Sequence, residues 1–203
     1  KKKIDILKVG VDRRIFYPKY NSSLLSLWEK DSLRILLVAR ISSEKYIEFV
    51  INVIRNIKNV SLLIIGKGPD DNKIKKLSND INNINFIGFI EHDKLAPYYS
   101  QADLFIQPSN NETLGFTILE SLACGTPVIN CKDCSNFIKN DYNGYTYKFG
   151  DKEDLKKLLI NLRTNFDKTK KQMTKNCLTF VKNYKWESVI EQLNKKYEEV
   201  MMI

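Results

Sequence analysis

The residues best suited to bind a charged, hydroxyl-rich ligand lie between Asn111 and Pro127. Glu120 is the only charged residue between Thr113 and Cys131, and its neighbours are mostly Phe, Ile, Leu, Ala and Cys. Burying an unpaired carboxylate costs several kcal/mol, so Glu120 needs a partner. That partner is either structural, as in a salt bridge or a contact with a backbone amide, or it is a hydroxyl group of a ligand.

A second carboxylate, Glu112, lies eight residues earlier, in the loop before a helix that we expect to begin near Leu114–Gly115. At a rise of about 1.5 Å per residue, the two carboxylates would be roughly 12 Å apart. The helix N-terminus between them offers the amides of Gly115 and Phe116 to an anion. Two carboxylates on either side of a phosphate site suit a nucleotide sugar, which has ribose, diphosphate and hexose in that order. Taken alone, Glu112 also fits a first-turn acid favoured by the helix dipole.

Short apolar runs without alternation predict strands that are buried on both faces of a sheet. These runs are Leu33–Ala39, Val60–Gly66, Ile84–Gly88, Leu104–Gln107 and Pro127–Asn130. Segments of helical periodicity lie between them, at Glu44–Ile57, Asp70–Asn82, His92–Ala102 and Gly115–Cys124. Strands alternating with helices across short loops predict right-handed βαβ units and a parallel sheet.

The pattern becomes helical after Tyr145–Tyr147, with predicted helices at Lys152–Arg163, Asp167–Lys182 and Trp186–Met201. The predicted fold class is α/β, a doubly wound, Rossmann-like parallel sheet of about six strands with a C-terminal helical tail. We divide the chain into an interdomain linker and entry segment (1–32), the sheet domain (33–164) and C-terminal helices (165–203). These helices would pack back on the domain or toward a further domain.

In such sheets, ligands bind outside the carboxyl ends of the strands. The loops at these ends are Arg40–Lys45, Gly66–Asp70, Gly88–Asp93, Pro108–Gly115 and Cys131–Phe137. A guanidinium at a strand's carboxyl end, as at Arg40, has the forked donor geometry that suits phosphate, although a surface role is the alternative.

The formal net charge of +9 invites a nucleic-acid interpretation, but its distribution argues against one. The first 50 residues carry 11 cations and 6 anions and the last 53 carry 12 and 8, whereas the middle hundred carry 10 of each. We therefore assign most of the charge to solvated surface. No apolar run has the length of a membrane-spanning helix, and the first residues, Lys1 to Lys3, show neither Met nor a signal-peptide pattern. We expect a piece of a longer protein.

The cysteines and the single histidine offer little chemistry of their own. Cys131 and Cys134 have the spacing of a redox or zinc pair, but a lone CxxC supplies only two of the four ligands that a structural zinc needs. We expect reduced cysteines, as in an intracellular protein, and no metal site. His92 precedes Asp93 at a predicted helix start, which favours a capping or surface role.

The spacing of the two glutamates in NETLGFTILESLACGTPVI resembles the signature of glycosyltransferase family 4, in the carboxyl-terminal half of a GT-B enzyme. The similarity covers nearly the whole chain. It continues through VGVDRRIFYP, LLVARISSEK, LLIIGKGPD, NINFIGFIEHDKLAPYYSQADLFIQPS and NDYNGYTYKFGDKEDL, in family order. Within the family, the motifs look most similar to those of the sulfolipid synthase subfamily, which transfers sulfoquinovose from UDP to diacylglycerol.

The resemblance implies a role for each matching residue. Arg40 and Lys45 would hold the donor diphosphate and stabilise the charge on the leaving nucleotide, and Glu112 would contact the transferred sugar. Glu120 would accept the ribose hydroxyls. The remaining donor-binding positions implied are Thr113, Leu114, Gly115 and Phe116 at the helix start, main-chain groups of Ile90 at the base, and the Gly66 and Gly68 turn. The resemblance implies that neither a metal nor a cofactor is needed. It also implies that the sugar is transferred with retention of anomeric configuration.

The sequence departs from the family pattern in two loops. Ala39 and Tyr46 stand where the family usually has glycines beside the Arg and Lys loop. The segment Cys131–Phe137 replaces a Gly-Gly-x-Pro-Glu loop, so we make no assignment of donor contacts there.

The expected protein is the donor-binding half of a retaining glycosyltransferase, inactive without an amino-terminal acceptor domain. Its donor would be a nucleotide sugar, with UDP expected as the nucleotide, and its acceptor a lipid such as diacylglycerol. We expect it in the cytoplasm or inside an organelle, with peripheral contact at a membrane face and no nucleic-acid partner. The alternatives are a nucleotide-sugar-binding domain without catalysis and a GT-B nucleotide-sugar epimerase.

Overall fold

Six strands form one sheet in the order β3-β2-β1-β4-β5-β6, and every pairing between them is parallel. The computed structural model describes residues 9–110, 115–132 and 134–201. The strands are β1 (Leu33–Val38), β2 (Val60–Ile65), β3 (Ile84–Phe86), β4 (Leu104–Gln107), β5 (Val128–Cys131) and β6 (Gly144–Tyr147). The doubly wound prediction is confirmed. Because the strand order reverses between β1 and β4, the topological switch point lies there.

The described α-helices are α1 (Ile47–Ile54), α2 (Asp71–Ser78), α3 (Ala96–Gln101), α4 (Phe116–Ala123), α5 (Lys152–Phe180) and α6 (Trp186–Met201). Short 3₁₀ turns precede three of them, at Ser43–Lys45, His92–Lys94 and Val181–Asn183. None of the described helices is both long and apolar enough to cross a membrane.

The prediction of two helices between residues 152 and 182 is wrong, because α5 is one helix of 29 residues. Its buried face continues through the expected break, with Leu159, Leu162, Phe166 and Met173 all in the core. This spacing keeps one apolar stripe on the sheet, so packing outweighs the weak helix propensity of Thr and Asn at the predicted break. The predicted boundary between residues 164 and 165 falls inside this helix.

Alternate side chains of each strand feed two apolar layers, one on each face of the sheet. Ile35 and Leu37 of β1 point into the layer with α1 and α5, whereas Leu36 and Val38 point into the layer with α3 and α4. This alternation leaves no polar face, as expected for a parallel sheet covered on both sides.

The segment before the sheet packs on the α3/α4 layer. Phe16 is 1% exposed and belongs to this layer. The Val11 amide donates to the Tyr184 carbonyl at 2.8 Å, and Gly10 lies so close to Trp186 that an added Cβ would come within 2.9 Å of its ring. Residues 10–16 are therefore held against both the sheet domain and the start of α6.

Candidate functional site

A cavity of about 340 Å³ opens at the carboxyl ends of β1 and β2, beside the switch point. We call the loops that follow β1 to β4 (residues 40–45, 66–70, 88–93 and 108–115) the carboxyl rim. The cavity is lined by Val38, Ala39, Arg40, Ile65, Gly66, Lys67, Phe89, Ile90, His92, Leu95, Thr117 and Glu120. The structure thus brings four of the predicted site residues, Arg40, Gly66, Ile90 and Glu120, to one mainly apolar cavity. Their roles in binding remain predictions.

The two glycines after β2 let the loop that carries Arg40 lie directly on the backbone of its neighbour. A Cβ at Gly66 would lie 1.9 Å from the Ala39 carbonyl oxygen, and one at Gly68 would lie 2.2 Å from that of Ile41. Two backbone hydrogen bonds join the same loops, from the Ala39 amide to Ile65 and from the Ile41 amide to Lys67. Glycine is therefore required at both positions to hold Arg40 at the rim.

The other predicted cation, Lys45, lies in the 3₁₀ turn after this loop. Glu44 lies beside Lys45. A hydrogen bond from the Ser42 hydroxyl and the charges of Arg40 and Lys45 lower the pKa of the Glu44 carboxyl. The loop after β1 therefore carries two cations and one carboxylate, a net positive charge suited to an anion. Tyr46 has φ +51°, which explains why glycine suits this position in the family pattern.

The loop after β3 forms the opposite wall of the cavity. Ile90 lines it, and the neighbouring Phe89 ring is 48% exposed, with the Lys67 ammonium 4.1 Å from its centroid. An exposed aromatic ring with a cation over its face offers a flat apolar surface to a ring-shaped ligand group.

Helix α4 begins at the rim with a left-handed N-cap, Gly115, at φ +64°. A Cβ at this position would lie 2.5 Å from the Phe137 ring, so glycine is required for both its backbone angle and its packing. The amides of the first turn of a helix have no acceptor within the helix, and those of Gly115 and Phe116 belong to this turn. Phe116 is 39% exposed and lines a second cavity described below.

Glu120 is 6% exposed, and the structure supplies two partners for its carboxylate. His92 Nε2 lies 2.8 Å from Oε1, and the Tyr99 hydroxyl donates to Oε2 at 3.0 Å. Burial, followed by the charge and hydrogen bond of Glu120, raises the pKa of Tyr99 well above its ordinary value, so Tyr99 keeps its proton and acts as a donor. Of the capping or surface role expected for His92, the capping role is wrong, because the ring turns to Glu120, whereas the side chain is largely exposed, as a surface role requires.

Three of the predicted site residues, Glu112, Thr113 and Leu114, lie outside the described residues, and their assignments stay predictions from the family pattern. The described part of the chain contains no group of three or more His, Cys, Asp or Glu residues arranged to hold a metal ion.

The expectation of reduced cysteines is wrong for one pair, since Cys131 and Cys134 form a disulfide. The other two, Cys124 and Cys177, are free and buried. Burial raises the pKa of the Cys124 thiol to about 12, so this thiol is not nucleophilic at neutral pH.

A larger cavity, of about 820 Å³, lies at the opposite, amino ends of the strands. Its central charges already satisfy one another, because Asp103 accepts bidentately from Arg34 and also pairs with Lys170. We therefore place the candidate site at the smaller cavity on the carboxyl rim.

The contacts of His92 and Tyr99 with Glu120 were not apparent from the sequence. Both lie more than 20 positions from Glu120 in the chain and reach it only through the fold. One signal was available, since a buried carboxylate demands donors and the chain contains one histidine.

The strand order and the cavity beside the switch point define the class of doubly wound, Rossmann-like domains. Within that class, the chain belongs to the family described as glycosyl transferases group 1, whose model matches residues 26–180.

Two curated relatives show how similar the chain is to individual members. It is 30% identical over 161 residues to sulfoquinovosyl transferase SQD2 of Arabidopsis thaliana, covering 76% of this chain and 31% of the relative. It is 33% identical over 176 residues to alpha-monoglucosyldiacylglycerol synthase of Acholeplasma laidlawii, covering 79% and 44%. The chain therefore spans less than half the length of each.

Solved structures share this fold over about half of their own length. Sucrose-phosphate synthase of Thermosynechococcus elongatus superposes with a TM-score of 0.82 at 24% identity, covering 96% of this chain and 52% of that one. HepE of Anabaena, solved in complex with UDP and glucose, gives a TM-score of 0.82 at 18% identity, covering 96% and 56%.

Proposed function

We propose that this chain is the donor-binding half of a retaining glycosyltransferase that takes a sugar from a UDP-sugar. The observation that carries the proposal is the buried Glu120 carboxylate, held at the wall of a rim cavity that Arg40 and Ile90 also line. A carboxylate in an apolar cavity pairs with a ribose diol, and a guanidinium at its mouth pairs with phosphate.

The donor would lie across the rim from β3 to α4. Its base would contact main-chain groups at Ile90, and its ribose hydroxyls would donate to Glu120. Its diphosphate would lie between Arg40, Lys45 and the first-turn amides of α4. The layout of a nucleotide sugar and the presence of Ile90, Glu120 and Arg40 at one cavity support this order.

The chemical step breaks the bond between the sugar's anomeric carbon and the diphosphate oxygen and forms a bond from that carbon to an acceptor hydroxyl oxygen, whose proton passes to the leaving phosphate. As the first bond breaks, negative charge develops on this phosphate. Fixed donors aimed at this charge lower the barrier, and Arg40, Lys45 and the amides of Gly115 and Phe116 would supply them. Glu112 would contact the transferred sugar. We propose that this step needs neither a metal nor a cofactor.

The acceptor in our proposal is a lipid such as diacylglycerol. The name of one curated relative supports it, since that protein is an alpha-monoglucosyldiacylglycerol synthase. We further propose that the protein acts in the cytoplasm or inside an organelle, peripherally at a membrane face. A separate amino-terminal domain would hold the acceptor.

Titration calorimetry of the 203-residue chain with UDP tests donor binding. We expect weak binding that Glu120→Gln reduces at least tenfold, because the neutral amide loses the charge-assisted hydrogen bonds to the ribose. Glu91→Gln, an exposed neighbour of His92, is the matched control and should bind like the wild type. No heat of binding at millimolar UDP would refute the proposal.

Catalysis is tested separately from binding. We expect the purified chain alone to transfer no sugar, and a longer protein containing it to convert UDP-sugar and acceptor into a glycoside with retained configuration. An inverted product would contradict retention. If the longer protein epimerises the donor and transfers no sugar, the result favours an epimerase. If it binds the donor and shows no turnover, the result favours a non-catalytic domain.

A further inference from the structure

Glu120 is held from two sides, and both contacts come from elements other than its own helix. His92 lies in the turn before α3 and reaches Oε1, whereas Tyr99 lies inside α3 and reaches Oε2. An ionised carboxylate only accepts hydrogen bonds, so His92 Nε2 must carry a proton in this contact.

Within the described residues, the two contacts leave half of the carboxylate's accepting capacity open. An ionised carboxylate offers about four lone-pair positions, two on each oxygen. His92 takes one on Oε1 and Tyr99 takes one on Oε2, which leaves one on each oxygen. Two adjacent acceptors held at fixed spacing match the two neighbouring hydroxyls of a ribose.

The buried Phe16 ring contacts the rings of both donors, His92 and Tyr99. The Phe16 ring lies 4.9 Å from the His92 ring and 6.1 Å from the Tyr99 ring, in edge-to-face geometry with each. The His92 side chain is 64% exposed, so its own burial does not fix its orientation. The contact with Phe16 therefore limits the directions in which the imidazole can point.

The His92–Glu120 pair also separates two cavities. Both residues line the rim cavity and a second one of about 290 Å³, which Gly10, Val11, Asp12, Phe16, Phe116 and Trp186 complete. On the rim side lie Arg40 and Ile90; on the other side lies the segment before the sheet. The pair thus stands where the donor cavity meets that segment.

We propose that His92 is a positioning residue for the donor: with Tyr99, it orients the Glu120 carboxylate so that each oxygen accepts one ribose hydroxyl. The inference rests on the proposed function and assigns to it a residue that the family pattern did not. His92 acts through Glu120 and need not contact the donor itself. Phe16 keeps the imidazole in place.

A thermodynamic cycle between protein and ligand tests this role. UDP and 2′-deoxy-UDP are titrated into the wild type and His92→Ala, with thermal unfolding of each variant measured alongside. In the wild type, loss of the hydroxyl should lower affinity about tenfold, in the range for a hydrogen bond to a charged group. In His92→Ala, UDP should bind roughly three- to tenfold more weakly, and the ratio between the two ligands should shrink toward one.

Conservative variants separate positioning from packing. His92→Gln keeps an N–H donor and should restore most of the ligand ratio. Tyr99→Phe keeps the buried ring, loses the donor and should shrink the ratio as His92→Ala does. Tyr98→Phe, which removes a hydroxyl from the adjacent residue of α3, is the matched control and should leave both affinities unchanged.

The outcomes distinguish a failure of the positioning role of His92 from a failure of the proposed function. A wild type that binds neither nucleotide refutes the proposed function and the inference together. A wild type that binds UDP, with the same ligand ratio in His92→Ala, overturns the inference alone, because a structural defect would weaken both ligands equally.

Discussion

Gly66 has a packing requirement that no other residue type meets. Its φ of +153° falls in the region that favours glycine, and the Ala39 carbonyl occupies the space of a Cβ. The obstruction is backbone, which cannot rotate away as a side chain can. Because that backbone leads into Arg40, the packing at Gly66 sets the position of a predicted phosphate ligand.

Gly66→Ala should therefore cost about 3 kcal/mol or more in the free energy of unfolding and should weaken UDP binding. Gly150→Ala is the matched control, since Gly150 also has positive φ, +73°, but open space around its Cβ position. It should cost about 1–2 kcal/mol and leave UDP affinity unchanged. Equal losses of stability, measured by chemical denaturation, would contradict this account of the close approach.

For individual residues, the sequence indicated which side chains belong to the candidate site better than it indicated their hydrogen-bond partners. Glu120 was predictable as a carboxylate in need of a donor, because its neighbours in the chain are apolar. His92 and Tyr99 were not predictable as those donors, since each meets Glu120 only after α3 and α4 pack side by side.

Helix α5 shows how packing decides where an element ends. Its core residues continue without a break through Leu162 and Phe166, so the apolar stripe holds the helix together where the local sequence suggests a stop. The strands were easier to predict, to within two residues at each end, because unalternated apolar runs have few alternatives in a parallel sheet. The α5 stripe was also visible in the sequence, but the Thr and Asn residues beside it suggested a loop.

Thr164→Pro tests the continuity of α5. Proline in a helix interior removes a hydrogen bond and clashes with the preceding turn, so this variant should lose about 3 kcal/mol of stability. Lys152→Pro, at the first residue of the same helix, should be tolerated because that amide has no partner within the helix. Equal thermal stability of the two variants would mean that α5 is interrupted near residue 164.

Asp103 lies directly before β4, and its ion pairs connect this strand to two other elements. Its carboxylate accepts a hydrogen bond from Arg34 of β1 and pairs with Lys170 of α5. Burial alone would raise the pKa of Asp103, but the hydrogen bond from Arg34 and the charge of Lys170 outweigh it and hold the pKa below its ordinary value. The folded state therefore favours the ionised form. Its stabilising effect is complete at neutral pH and is lost as the pH falls through the lowered pKa.

Asp103→Asn should cost about 3 kcal/mol at neutral pH, because it leaves Arg34 without its counter-charge. The difference from the wild type should shrink once the pH falls below the ordinary aspartate pKa, because the wild-type carboxyl is protonated as the pH passes through its lowered pKa. Urea denaturation at several pH values measures this, with the exposed Asp80→Asn as control. A difference that is constant with pH would contradict the ion-pair account.

The charge of the whole molecule is large, but its pattern does not indicate a nucleic-acid surface. The excess of cations lies in the first 50 and last 53 residues, whereas the middle hundred, which hold most of the rim, are neutral. The rim has its own local charge balance, with Arg40 and Lys45 beside Glu44. The predicted functional cations are therefore local and few, and the net charge of the chain is a separate property.

A 20-base-pair DNA duplex should consequently show no binding above the non-specific level at about 0.15 M salt. Non-specific binding through terminal lysines would fall steeply with salt, whereas UDP affinity at a cavity lined by a few charges should change much less. Fluorescence anisotropy at several salt concentrations measures the first and calorimetry the second. Tight duplex binding that persists at physiological salt would point to a nucleic-acid partner.

The central claim is that the donor nucleotide binds at the carboxyl rim through Glu120, and a crystal structure of the chain with UDP tests it most directly. We predict ribose hydroxyls within about 2.6–3.2 Å of the Glu120 carboxylate, the base at Ile90, and the diphosphate at Arg40 and the start of α4. UDP bound in the cavity at the amino ends of the strands, or at the rim with its ribose away from Glu120, would contradict the account.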